Sequence, residues 1–271
     1  MISIAIPDSM FLEDETLREK TIKVGEIARS VAIFGVERVY IYRDLSRNAE
    51  DDYRTARAIF EYLETPQYLR KRIFGRRKEL EYAGLLPPLR IPSHNREYAV
   101  EPNEVREGVV VIQNGELMAD IGAKTLALVE GRVQDGQRLT LRVTSADPLI
   151  VRIADKPVDE YWGFEVRRAP SLARFFTSAN FELTVLTSRL GVEVEKMWKE
   201  FCEKCSSSQR ILVCFGSPEM GIDAILKKEN ERVSNFPSLY VNTFPCQNVQ
   251  TVRLEEAILG TLTILNIARQ L

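Results

Sequence analysis

The chain has 271 residues, 45% of them apolar and 28% charged, with a formal net charge of −2. That is enough apolar content for one or two folded domains, and no apolar run reaches the roughly 18 residues of a membrane-spanning helix. The N-terminal MISIAIPDSM has no basic segment and is broken by Pro7 and Asp8, so no secretory signal and a cytoplasmic location are expected.

The elements begin with ISIAIP as a strand. Leu17, Ile22, Val24, Ile27, Ala28, Val31 and Phe34 then recur at helical spacing, with Asp14 or Thr16 as the cap and Gly35 as the stop. ERVYIY is a second strand, and NAEDDYRTARAIFEYLET is an amphipathic helix stopped by Pro66. Strand–helix–strand–helix order predicts an α/β fold with a parallel sheet.

From Pro87 to Pro92 the chain is proline-rich. Five short β-like runs follow: EGVVVIQ, GELMADIG, KTLALVE, QRLTLRVT and LIVRIAD. Five strands in about 70 residues suit a small barrel of the oligonucleotide-binding (OB) type. Such a barrel either grips nucleic acid or packs on the main body without a ligand. After YWGFEVRRA the alternation resumes. SLARFFTSA, EVEKMWKEFCEKC, EMGIDAILKK and VRLEEAILGTLTILNIARQL read as helices, and ELTVLTS, RILVCFGS and PSLYVNT as strands. The expected organisation is one α/β domain, residues 1–91 plus 162–271, interrupted by an OB-like barrel at 92–161.

Common chemistries find little support. Four cysteines do not make a disulfide framework, and the Cys202–Cys205 pair closes a helical pattern, so it reads as incidental, with a metal or redox role as the alternative. The loop VCFGSPEMG has two glycines, Gly216 and Gly221, with Pro218 where an amide donor would be wanted. It matches neither the dinucleotide fingerprint nor the P-loop. The single histidine, His94, lies in the IPSHN linker as a linker or surface residue, with no nucleophile elbow to meet it.

Three segments carry a resemblance. GEIARSVAIFGVERVYIY, LVCFGSPEMGID and YVNTFPCQNVQTVRLEEAILGTLTIL resemble the three motifs of the SpoU-like branch of the SPOUT superfamily. Together with TPQYLRK, YAGLLPPL, REGVVV, YWGFEVR and LTVLTS they resemble, over essentially the whole chain, the SPOUT family of archaeal and eukaryotic RNA uridine-N3 methyltransferases. The resemblance implies a SPOUT-type parallel sheet with a C-terminal trefoil knot, interrupted by the OB-like barrel. It implies a homodimer through the knot region and S-adenosylmethionine as cofactor. The implied activity is methylation of uridine N3 in ribosomal or other structured RNA. Ribose 2′-O-methylation and an inactive RNA-binding assembly factor stand as alternatives.

The implied cofactor contacts are Thr187, Phe215, Gly216, Ser217, Asn242, Thr243, Pro245, Gln247 and Val252. Gly216 would allow close backbone approach. Arg29, from the first motif, and Glu256, at the start of the last helix, are the implied catalytic residues. Arg29 would stabilise developing negative charge, and Glu256 has a helix-dipole role as its structural counterpart. No metal ligands are expected. For the RNA, QYLRKRIFGRRKELEYAG offers Arg70, Lys71, Arg72, Arg76, Arg77 and Lys78, interleaved with Tyr68, Phe74 and Tyr82. Arg167, Arg168 and Arg174 would extend the patch. Cations meet phosphates and aromatics stack on bases; the plainer reading is a solvated helix face.

Overall fold

The computed structural model describes residues 1–45, 49–95 and 97–271. The chain divides into two compact units. One comprises Met1–Glu61, Glu79–Pro87 and Phe164–Leu271, and the other Tyr62–Lys78 and Pro88–Gly163.

In chain order the elements are β1 (Ile2–Pro7), α1 (Leu17–Ile33), β2 (Val36–Arg43), α2 (Glu50–Glu64) and α3 (Gln67–Phe74). The strands β3 (Val105–Gln113), β4 (Glu116–Asp120), β5 (Ala127–Glu130), β6 (Arg138–Ala146) and β7 (Leu149–Ile153) follow. Then come β8 (Glu165–Ser171), α4 (Leu172–Ser178), β9 (Leu183–Glu193), α5 (Trp198–Ser207), β10 (Ile211–Cys214), α6 (Ile222–Lys228), β11 (Leu239–Asn242) and α7 (Leu254–Ala268).

The first unit is a six-stranded sheet in the order β11-β9-β10-β1-β2-β8, every pair parallel. Its central strand β1 is buried along its whole length, as an apolar run in a parallel sheet should be. Thr16, not Asp14, caps α1. Its hydroxyl accepts from Glu19 N at 3.2 Å while Glu19 accepts from Thr16 N at 2.8 Å, a capping box. Gly35, at φ 62°, turns the chain out of the helix.

Strand β8 is an element the sequence pattern did not announce. Its EVRRAPS carries three charges and a proline because it is an edge strand, paired only to β2, where proline and exposed charge cost little. Strand β9 runs longer than ELTVLTS, to Glu193.

In the second unit, β3-β4-β5-β7-β6 form a closed barrel, antiparallel except where β5 meets β7. Ala119, Ile121, Ala127, Leu141, Val143 and Val151 fill it. Segment 62–78 clusters with this barrel, whereas the expected boundary at 91 put it with the sheet. The reason is contact: α3 packs on β3, and Tyr68 Oη donates to Glu107 O at 2.9 Å.

A buried ionic hub ties the barrel together. Arg138 donates to Glu64 Oε2 at 2.7 Å and to Glu107 Oε2 at 2.8 Å, while Trp162 Nε1 and Thr140 Oγ1 each donate to Glu107 Oε1 at 2.7 Å. Burial pushes the Glu64 carboxyl up despite Arg138. Burial acts the same way on Glu107, but Arg138 and the Thr140 and Trp162 bonds outweigh it and hold Glu107 low. His94 also differs from expectation. It is buried, with Nε2 2.8 Å from Glu64 O.

Candidate functional site

Three segments meet here, an excursion within β9 and the loops that follow β10 and β11. The first arises from a register jump. Tyr240 of β11 lies opposite Leu186 of β9, but the next residue, Val241, lies opposite Val192. Residues Thr187–Gly191 are therefore extruded from the pairing. Gly191 closes the excursion, since a Cβ there would sit 2.5 Å from the Val241 carbonyl carbon.

The β10 loop is held at its root. Phe215 N donates to Ala5 O at 2.9 Å, and buried Tyr42 Oη donates to Phe215 O at 2.8 Å. Ser217–Met220 then forms a tight turn, with Ser217 N on Met220 O at 2.8 Å and Met220 N on Ser217 Oγ at 3.0 Å. A Cβ on Gly216 would lie 2.6 Å from Met220 O. The turn's own carbonyl is thus what requires glycine here.

In the β11 loop, Asn242 Oδ1 accepts from Phe244 N at 2.9 Å, an Asx turn. The Phe244 ring lies over Gly260 of α7, where a Cβ would come within 2.3 Å of it. Thr243 and Thr261 share a buried hydroxyl bond of 2.8 Å. Gln247 Nε2 donates to Val249 O at 3.0 Å and closes the loop.

These loops enclose a cavity of about 340 Å³. Thr187, Phe215, Gly216, Ser217, Asn242, Thr243, Gln247 and Val252 all line it, while Pro245 does not. The wall also includes Ser188, Arg189, Glu219, Met220 and Asp223, which the sequence reading did not select. Asp223 lies in the first turn of α6, and its Oδ1 accepts from Tyr240 Oη at 3.3 Å. The signal for it was an acidic residue just inside a helix start. Arg189 carried no signal beyond following LTVLTS directly.

Neither residue expected to be catalytic lines this cavity. Arg29 is half-buried on α1. Glu256 is exposed and accepts from Arg253 N at 2.9 Å, so its carboxylate caps α7.

The basic segment of the second unit is less uniform than its sequence. Arg70 donates to Thr65 O at 2.9 Å and Leu63 O at 3.2 Å and lies 4.5 Å over the Tyr62 ring. Arg72 pairs with Asp120, and Arg77 donates to Phe74 O at 3.2 Å. Lys71, Arg76 and Lys78 are exposed, without an ion-pair partner among the described residues. Tyr68 and Phe74 point inward, where burial raises the Tyr68 hydroxyl well above its usual value; they form no stacking surface. Arg168 pairs with Glu50 at 2.6 Å and Arg167 with Glu165 at 2.6 Å, and Arg174 is exposed. Cys202 and Cys205 lie on one turn of α5, where burial pushes the Cys205 thiol up to about 12. Among the described residues no helix is long and apolar enough to cross a membrane.

The profile of a family described as "Putative RNA methyltransferase" matches residues 1–265. The chain is 32% identical to an uncharacterised protein of Haloarcula marismortui over 98% of both chains. It is 32% identical to the human 28S rRNA (uridine-N(3))-methyltransferase, over 97% of this chain and 77% of that protein. The mouse protein of the same name is 31% identical, over 97% and 75%. With a profile match over almost its whole length, the chain belongs to this RNA methyltransferase family.

Proposed function

We propose that the protein transfers a methyl group from S-adenosylmethionine to N3 of a uridine in ribosomal RNA, in the cytoplasm. The observation that carries the proposal is the whole-chain similarity to proteins named uridine-N3 methyltransferases, joined to a cavity built from the three loops where the resemblance expects the cofactor. A volume of about 340 Å³ falls within the small-ligand range. The walls combine apolar surface from Phe215, Val252 and Leu254 with polar groups of Thr187, Ser188 and Asn242. That mixture suits a ligand with a flat base, a ribose and an amino-acid tail.

S-adenosylmethionine supplies an electrophilic methyl group on sulfur. The chain's part is to hold and orient. Thr187 sits where β9 leaves its register, Gly216 and Thr243 follow the ends of β10 and β11, and Asp223 offers a carboxylate to a hydroxyl or ammonium group. The sheet order with β9 and β10 inside β11 supports a knotted C-terminal half, and the five-stranded closed barrel supports the OB-like reading. Exposed Ile22 and Ile33 on α1, with Leu259 and Ile267 on α7, support a homodimer through that side of the sheet. Lys71, Arg76 and Lys78 would meet RNA phosphates.

The test is transfer of labelled methyl from S-adenosylmethionine to an unmodified transcript of large-subunit rRNA. Label in the RNA is expected; none at near-millimolar donor contradicts the proposal.

A further inference from the structure

We infer that Arg189 is a catalytic residue of this reaction, the side chain that stabilises the negative charge a uracil ring acquires when its N3 is made nucleophilic. The inference rests on the function proposed above and on one juxtaposition. Arg189 is the only cation among the described residues lining the donor cavity.

Its setting separates a fixed backbone from a free head. The extrusion of Thr187–Gly191 from the β9–β11 pairing carries Arg189 onto the cavity wall. Asn242 Nδ2 donates to Arg189 O at 3.4 Å, and Leu190 N donates to Ser188 Oγ at 3.2 Å. Those bonds hold the main chain. The guanidinium is exposed, makes no ion pair among the described residues, and donates one long bond, 3.3 Å, to Gln250 O. Most of its donors are therefore available to an incoming group.

The chemistry needs such a group. Uridine N3 carries a proton and no nucleophilic lone pair in the ring plane. For methylation the proton leaves to solvent. The N3 electron pair forms the new N–C bond as the C–S bond of the donor breaks, and that bonding pair stays on sulfur. Between these events the ring bears one negative charge, shared by N3 and the flanking carbonyl oxygens. The other charged residues on the wall, Glu219 and Asp223, are acidic and oppose that charge. A planar guanidinium with several N–H donors meets a carbonyl oxygen directly and offsets them. Arg29, the sequence candidate for this role, is absent from the cavity wall.

The test uses a transcript that the wild-type protein methylates, in two forms, with uridine or 5-fluorouridine at the target. Fluorine makes N3–H more acidic, so less help is needed. Arg189→Ala should slow single-turnover methylation of the uridine RNA on the order of 100-fold, with donor affinity by calorimetry nearly unchanged. Arg189→Lys should recover part of the rate, and 5-fluorouridine should recover most of it in Arg189→Ala. Independently of transfer, a fluorine NMR titration of the bound 5-fluorouridine RNA without donor should place N3–H ionisation about one pH unit lower with wild type than with Arg189→Ala. A near wild-type rate in Arg189→Ala, or equal losses on both RNAs with coincident titrations, overturns the inference alone. No transfer by the wild-type protein to any rRNA overturns the proposed function, and the inference with it.

Discussion

Thr187 Oγ1 donates to the carbonyl oxygen of Cys214 at 2.8 Å. The bond ties β9, just past Leu186 where it pairs with Cys214, to the end of β10, at the point where β9 leaves its register with β11 and β10 enters the Gly216 loop. Two of the three cavity walls thus share one fastening. Thr187→Val keeps the shape and removes the donor. It should weaken S-adenosylmethionine binding about 5-fold, the equivalent of one modest hydrogen bond of about 1 kcal/mol. Calorimetry without RNA measures it, and unchanged affinity would exclude the fastening.

Gly216 makes a sharper case. A methyl group there would stand 2.6 Å from Met220 O, so Gly216→Ala must open the Ser217–Met220 turn. Donor affinity should fall at least tenfold while the melting temperature moves by only a few degrees. Gly75, with nothing within 4 Å of its Cβ position but φ +56°, gives a contrast: Gly75→Ala should cost some stability and leave donor binding intact.

Within the barrel unit, Arg138 pairs with two buried carboxylates, Glu64 and Glu107. Arg138→Met leaves both without their cation, at a cost of about 3 kcal/mol or more. The two tryptophans, Trp162 and Trp198, lie in different units. In a Trp198→Phe background the fluorescence of Trp162 reports the barrel in urea, and its midpoint should drop.

Asp8 sets a pH dependence. Burial raises its carboxyl to about 6, assisted by the charge of Asp44 and only partly offset by the bond from Asp44 N. The folded protein therefore binds this proton more tightly than the unfolded chain, whose aspartate titrates near 3.8. The contribution is largest below about pH 4, declines as the pH rises to about 6, and is constant beyond. Melting temperatures across that window should show the decline in wild type, and Asp8→Asn should flatten it.

For RNA, the cations of the 67–84 segment without an ion-pair or hydrogen-bond partner among the described residues are Lys71, Arg76 and Lys78. Replacing all three with alanine should lower affinity and reduce the salt slope by roughly 2, from about 0.7 per phosphate contact on single strands. Arg70→Ala removes the bonds to Leu63 and Thr65 and should show mainly as lost stability. An unchanged salt slope in the triple variant would place the RNA elsewhere.

Where a residue's role is local, it was legible from the sequence. Thr16 as one of two cap candidates, the Gly35 stop and the five barrel runs follow from local pattern, and eight of the nine residues the resemblance expected at the cofactor line the cavity. What failed depended on neighbours distant in the chain. Strand β8 looks polar because only one strand covers it. Tyr68 looks available until Glu107 and Gly122 of the barrel unit pack against it. Arg189 gave no signal, because its position depends on a register jump against β11, 50 residues later.

The central claim is methylation at a base nitrogen. Its most direct test is mass spectrometry of nucleosides from an unmodified rRNA transcript incubated with the protein and isotope-labelled S-adenosylmethionine. The account predicts labelled 3-methyluridine at one position, lost with Gly216→Ala. Labelled 2′-O-methyluridine, or donor binding with no labelled nucleoside, would contradict it.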